Sequence, residues 1–199
     1  TFQGIINSHI LQQSIIILIE ITKEIIMQKI FSTQLTGIFN NINKEEFDIE
    51  DAARLLAQAL VGEGSIYIVG FEEMAGIIEQ ALNGIEVFPS CKPLLNTEEV
   101  TTIDRVLLFS RTNHHPESLA LAKKLEEKAI PFVSVATSQE GEEAGLEDFS
   151  HVHINLKLKR GLVPTDKGER IGYPSLLIAL YVLHLIQFTL IELIEEYNE

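Results

Sequence analysis

From Ser65 onward the chain alternates short apolar runs with helical patterns, and this alternation constrains its fold more than any other feature. Strand-like runs fall at residues 65–69, 85–88, 105–109, 131–136 and 152–156. Helical patterns fill residues 72–82 and 116–128, an acidic stretch covers 139–148, and a long apolar helix closes the chain at 174–197. A Pro-containing loop spans residues 89–93, and a second loop spans 157–173. The runs are apolar on both faces, which suits strands buried from both sides. Strands of that kind, separated by helices, form a parallel sheet. The pattern predicts an α/β fold: a three-layer αβα sandwich on a five-stranded parallel sheet of flavodoxin-like order 2-1-3-4-5.

Before the sheet come helices. Residues 1–30 are dominated by isoleucine and read as helix, with Gln12, Gln13, Glu20, Lys23 and Glu24 spaced along them. A second amphipathic pattern covers 30–42 and a third 45–60, before Gly62-Glu63-Gly64 breaks the run. Met27 is a plausible true start. Residues 1–26 are then an extra N-terminal helix or upstream sequence, ahead of one α/β domain at 27–199. Within that domain, 27–61 hold the N-terminal helices and 65–199 the sheet and its covering helices.

The chain has 199 residues, 46% of them hydrophobic, enough to fill a core. Its net charge of -14 argues against nucleic acid, whose phosphates need a basic face. Acidic runs at 44–51, 139–148 and 192–199 read as solvated surface, and basic residues clustered between Lys157 and Arg170 as an ordinary loop. A single cysteine, Cys91, excludes an intramolecular disulfide and fits a reducing cytoplasm. The apolar stretch 15–19 is short, and His184, Gln187 and Thr189 interrupt 176–191. Both fall short of the about 20 apolar residues of a membrane span. They read instead as buried or interface helices, so no membrane is expected. The surplus apolar face predicts a homodimer or homotetramer.

In an open parallel sheet, ligands bind beyond the carboxyl ends of the strands where the strand order reverses. For this order the reversal lies between strands one and three. The loops there are Gly70-Phe71-Glu72-Glu73 and Ser110-Arg111-Thr112-Asn113-His114-His115, the second opening a helix at Pro116. Hydroxyls from Ser110 and Thr112, with the free amides of the helix start, can hold a phosphate or carboxylate. The same residue types also serve as turn and cap residues with no ligand. Glu72 or Glu73 could act as a general base and His114 or His115 as an acid. His151 and His153 lie at two-residue spacing without a third ligand, so no metal or other cofactor is expected.

The stretch 105–124 resembles the second signature of the SIS (sugar isomerase) domain: a hydrophobic strand, Ser-x-Ser-Gly-x-Thr, then a helix. Laid on this chain, the two serines fall on Ser110 and Thr112, the glycine on Asn113 and the last threonine on His115. The first signature, Gly-x-Gly-x-Ser, keeps Gly70, with Glu72 and Met74 in place of its second glycine and serine. Arg170-Ile171-Gly172-Tyr173-Pro174-Ser175 resembles the closing segment of phosphosugar-binding SIS proteins. The stretch beginning Met27-Gln28-Lys29-Ile30-Phe31 is similar to the start of a small bacterial SIS-like family of unknown function, in part labelled phosphoheptose isomerase-like. The resemblance implies an SIS fold and a sugar phosphate, or similar small anion, held by Gly70, Ser110, Arg111, Thr112, Asn113 and His115. Three roles follow: a non-catalytic or regulatory binder, an aldose–ketose isomerase using Glu72, Glu73, His114 and His115, or a partner-binding protein with a decayed pocket.

Overall fold

The structure, a computed structural model, describes residues 24–141 and 143–198. Five strands form one parallel sheet in the order β2-β1-β3-β4-β5: β1 Ile66–Gly70, β2 Cys91–Pro93, β3 Arg105–Thr112, β4 Phe132–Thr137 and β5 Val152–Asn155. Six helices accompany them: α1 over residues 24–42, α2 Glu46–Val61, α3 Gly76–Asn83, α4 Pro116–Glu127, α5 Leu146–Phe149 and α6 Ser175–Asn198. The expected α/β sandwich and strand order are present. The extra helix expected over residues 1–26 falls almost wholly outside the described residues.

The chain divides into two compact units. The larger, Ile38–Lys159 with Pro174–Glu199, holds the sheet and its covering helices. On one face of the sheet, α2 buries Ile49, Ala52, Ala53, Leu56 and Ala59, α3 buries Ile77 and Ala81, and α6 buries Ile178, Val182, Leu183, Ile186 and Leu190. On the other face, Tyr67, Val106, Leu108, Phe132 and Ala136 pack with Ala122 and Leu125 of α4 and Leu146 of α5. Both faces are thereby dry, which explains why the strands read as continuous apolar runs. The smaller unit, Thr1–Gly37 with Arg160–Tyr173, contains a two-residue hairpin, β6 Val163–Pro164 against β7 Arg170–Ile171. The Arg170 guanidinium closes it by donating to the carbonyls of Gly161 (2.6 Å) and Leu162 (2.7 Å).

Three local expectations are corrected. The second strand is Cys91–Pro93, not residues 85–88. Ile85 and Val87 are exposed, whereas Cys91 and Lys92 pair with Ile66 and Tyr67 at the sheet edge, where a proline is tolerated. Residues 24–42 form one continuous helix with no break near Ile30. The final helix lies where expected, at Ser175–Asn198, but its apolar run does not fall short of a span: Ser175–Tyr197 is long and apolar enough, by length and composition, to cross a membrane. Its inner face is nevertheless part of the core described above.

The foot of the sheet is fixed by charge. Asp104 Oδ1 accepts from the Ser65 amide (2.8 Å), and Oδ2 accepts from the amide and hydroxyl of Thr101 (2.8 Å each). Arg105 donates to the carbonyls of Thr102 and Asp104 and to Gln58 Oε1 of α2. Burial pushes the Asp104 carboxyl up, but the donors from Thr101 and Ser65 outweigh it and hold the group below its ordinary value. Asp104 therefore stabilises the fold fully above the ordinary Asp pKa, about 3.9, and the contribution is lost as pH falls through the lower folded value. D104N is expected to cost about 1–3 kcal/mol at neutral pH and to flatten the acid limb of stability. Urea unfolding from pH 7 to pH 2 measures both effects.

Candidate functional site

The carboxyl ends of β1 and β3 lie side by side, with Gly70 opposite Phe109. Gly70 has to be glycine because a Cβ there would sit 2.2 Å from the Met74 carbonyl oxygen. The chain then turns sharply: Glu72 takes φ 53°, a left-handed value that is uncommon for a residue with a side chain. A single 3-10 turn, Glu72–Ala75, leads into α3. In β3 the register to β4 slips by one residue between Phe109 and Thr112, a bulge that re-aims Ser110 and Arg111.

The two loops are joined by charge. Arg111 forks onto Glu73, with Nε to Oε1 at 2.8 Å and Nη2 to Oε2 at 2.5 Å, and its Nη2 also lies 3.3 Å from Glu72 Oε2. The Arg111 hydrogen bonds hold the Glu73 carboxyl below the usual range, and the Ser175 hydroxyl at the start of α6 adds to this. Arg111 Nη1 has no hydrogen-bond partner among the described residues. Beside this fork, Ser110 is wholly buried, and its hydroxyl has no partner among the described residues.

The rest of the second loop is tied to the strand-four side. Asn113 is wholly buried. Its Nδ2 donates to Glu147 Oε1 (2.6 Å) and to the Gln139 carbonyl (3.3 Å), and its Oδ1 accepts from the Gln139 amide (3.0 Å). Gly145 leaves room for this carboxamide, since a Cβ there would approach Asn113 Nδ2 to 2.7 Å. His114 Nε2 lies 3.3 Å from the Gln139 carbonyl. His115 is the N-cap of α4: its Nδ1 accepts from the Ser118 amide at 3.4 Å, and its ring lies 5.5 Å from that of Phe71. Pro116 follows at the first helical position, so the helix start retains few free amides.

The structure thus gathers Gly70, Glu72, Glu73, Ser110 and Arg111 at the strand-order reversal. Asn113 and His114 turn to the loop after β4, and His115 caps α4. Sequence reasoning missed Gln139 and Glu147, which reach this region only through the fold, and it named Ser175 only within the closing segment, not as a partner of Glu73. N113A is expected to cost about 1–3 kcal/mol because it strands the Gln139 amide. It should also speed amide hydrogen exchange in residues 139–147, which mass spectrometry resolves.

His153, singled out with His151 in the sequence, lies partly buried on β5. Its Nδ1 is 2.7 Å from Ser134 Oγ and its Nε2 is 3.0 Å from Ser138 Oγ, so both nitrogens are taken by hydroxyls. Burial pushes the imidazole pKa down, against the opposing pull of Glu147 and Glu45. As pH falls through the ordinary imidazole value, about 6.5, the unfolded chain takes up its proton before the folded chain does. Stability therefore decreases toward the lower folded value. H153Q is expected to remove this slope between pH 7 and pH 5, as followed by thermal melting. Cys91, on the edge strand, has its thiol pushed up to about 12 by burial, which disfavours the thiolate form.

Comparison with known proteins places this geometry. The chain belongs to the family described as a domain of unknown function (DUF2529), whose family model matches residues 27–194. A Bacillus subtilis (strain 168) protein, "Uncharacterized protein YwjG", is 49% identical over 173 residues, covering 86% of this chain and 99% of its own. Among solved structures, phosphoheptose isomerase GmhA from Neisseria gonorrhoeae superposes with a TM-score of 0.56 at 11% identity, over 82% of this chain and 99% of that one. The protein MJ1247 from Methanococcus jannaschii, whose structure infers 3-hexulose-6-phosphate isomerase function, superposes with a TM-score of 0.52 at 13% identity. That match covers 83% of this chain and 92% of the other. The fold is the SIS fold.

Proposed function

We propose that this member of the DUF2529 family binds a sugar phosphate, or a similar small anion, at the reversal between β1 and β3 without turning it over. The observation that carries the reading is Ser110, a buried hydroxyl at the carboxyl end of β3 with no partner among the described residues. An orphaned buried hydroxyl costs about 1–3 kcal/mol, a penalty that a bound anion would relieve. Arg111 beside it has Nη1 unpaired among the described residues, while Glu73 and Glu72 hold the other edge. Two solved structures of the same fold carry names that refer to isomerases of phosphorylated sugars, which supports the ligand class.

The chemistry favours binding over isomerisation. Moving a proton between adjacent carbons needs a base that accepts it near neutral pH. Glu73 is held by Arg111 and Ser175 with its carboxyl pulled below the usual range, which weakens it as a base. His115 has its Nδ1 engaged as a helix cap, and His114 Nε2 faces a carbonyl. Thr112 and the remaining Arg111 donors complete the set that we assign to the anion. The lone cysteine fits a cytoplasmic setting for this role.

Ser110 separates the binding role from a structural one. S110A removes the orphaned hydroxyl and is expected to leave unfolding stability unchanged or raised. Calorimetry against a panel of hexose, heptose and pentose phosphates is expected to show binding to the unaltered protein and its loss in S110A. No binding of any panel member at millimolar concentration overturns the reading. Turnover of any panel member to its ketose or aldose overturns the non-catalytic part.

A further inference from the structure

The cation at the candidate site is already engaged. Arg111 presents Nε and Nη2 as a flat two-donor edge, the edge that matches two oxygens of a carboxylate or a phosphate. Glu73 fills that edge from the neighbouring loop, with Nε to Oε1 at 2.8 Å and Nη2 to Oε2 at 2.5 Å. Glu72 Oε2 stands 3.3 Å from the same Nη2. An anion arriving beside Ser110 therefore meets only Nη1 of the guanidinium unless Glu73 gives way.

Two features let Glu73 give way. The pair is open to water: the Arg111 side chain is 47% accessible and that of Glu73 33%. Ion pairs so exposed stabilise weakly, and a competing anion that makes contacts of its own can displace the carboxylate. Glu73 also has a second partner, because the hydroxyl of Ser175 hydrogen-bonds to the same carboxylate. Ser175 is buried and is the first residue of α6, a 24-residue helix. The amides and dipole of a helix start favour negative charge. The turn that carries Glu73 runs close by, since a Cβ on Gly76 would lie 3.0 Å from Leu176 Cδ2. The carboxylate thus sits between two sources of positive potential, a guanidinium and a helix start.

We propose that Glu73 is a built-in counter-ion that competes with the ligand anion for Arg111, and that a bound anion displaces it onto Ser175 at the start of α6. The inference rests on the anion-binding reading and gives that site a threshold. Only a ligand whose further contacts offset the lost ion pair takes the two-donor edge of Arg111. The exchange also moves a negative charge toward α6, so occupancy of the crevice is felt by a helix that covers one face of the sheet.

Calorimetry against the same hexose, heptose and pentose phosphates tests the exchange. E73Q keeps the shape of the side chain and removes its charge, and it is expected to tighten binding at least about threefold. E79Q removes an equal charge at an exposed position on α3 that makes no ion pair with Arg111 among the described residues. It is expected to leave the affinity unchanged. S175A is expected to weaken binding at least about twofold in the unaltered chain and to have no effect in E73Q, because both residues act through one carboxylate. Equal affinity in E73Q and the unaltered chain overturns the inference and leaves the binding reading intact, as does an equal gain in E79Q. S175A weakening E73Q as much as the unaltered chain overturns the transfer to α6. Binding by E73Q alone reveals a counter-ion that no panel member displaces, which overturns the exchange. Absence of binding to both proteins overturns the reading itself, and the exchange with it.

Discussion

Every strand of a parallel sheet must be covered on both faces, because a crossover connection lays a helix on the sheet for each strand it joins. In this protein β1 and β3 are the two strands from which the chain winds in opposite directions. The connection from β1 through α3 to β2 shares its face of the sheet with α2 and α6. The connection from β3 through α4 to β4, with α5 beyond it, covers the other face. Winding of this kind is where an open parallel sheet leaves room for a ligand beyond the carboxyl ends of its strands. Core burial and site placement therefore share one cause.

Three side chains shape that crevice. Arg111 projects from a bulged strand end and bridges to Glu73, which a strained turn at Glu72 presents from the neighbouring loop. The fork closes one edge of the crevice and neutralises the cation nearest to it. Asn113 works in the other direction, tying the end of β3 to the loop after β4 and to α5. A glycine at this position, as in the SIS signature, would supply backbone freedom. Asparagine supplies three hydrogen bonds, so a loop that elsewhere wraps a ligand is here anchored by its own side chain. Ser110 is left between these anchors with no partner among the described residues.

The alternation of apolar runs with helical patterns made the sheet legible, because strand burial imprints itself locally on each run. The second strand escaped because β2 has three residues, ends in a proline and sits at the edge, while the more apolar residues 85–88 lie outside the sheet. The hairpin of β6 and β7 escaped for the related reason that two-residue strands carry no period to read. Within the site, both loops at the reversal could be located from strand order. The pairing of Arg111 with Glu73 could not, because it joins residues 38 apart and exists only once β1 and β3 are neighbours. Read separately, one side chain suggested an anion ligand and the other a base. Read together, they form an ion pair.

That ion pair sets the terms on which an anion can enter. With two carboxylates within reach of one guanidinium, the rim of the crevice carries excess negative charge, and the whole chain adds a repulsive field. Long-range attraction is therefore weak, and under the proposed reading selectivity would rest on short donors, the Ser110 and Thr112 hydroxyls and Arg111 Nη1. Short hydrogen bonds act only after the anion has lost its water, so this arrangement discriminates by fit and discriminates little by charge. If the proposed site holds an anion, it would disfavour simple inorganic anions that bring no further contacts. It would favour a ligand with an uncharged portion that makes contacts of its own, and the proposed phosphorylated sugar has that composition.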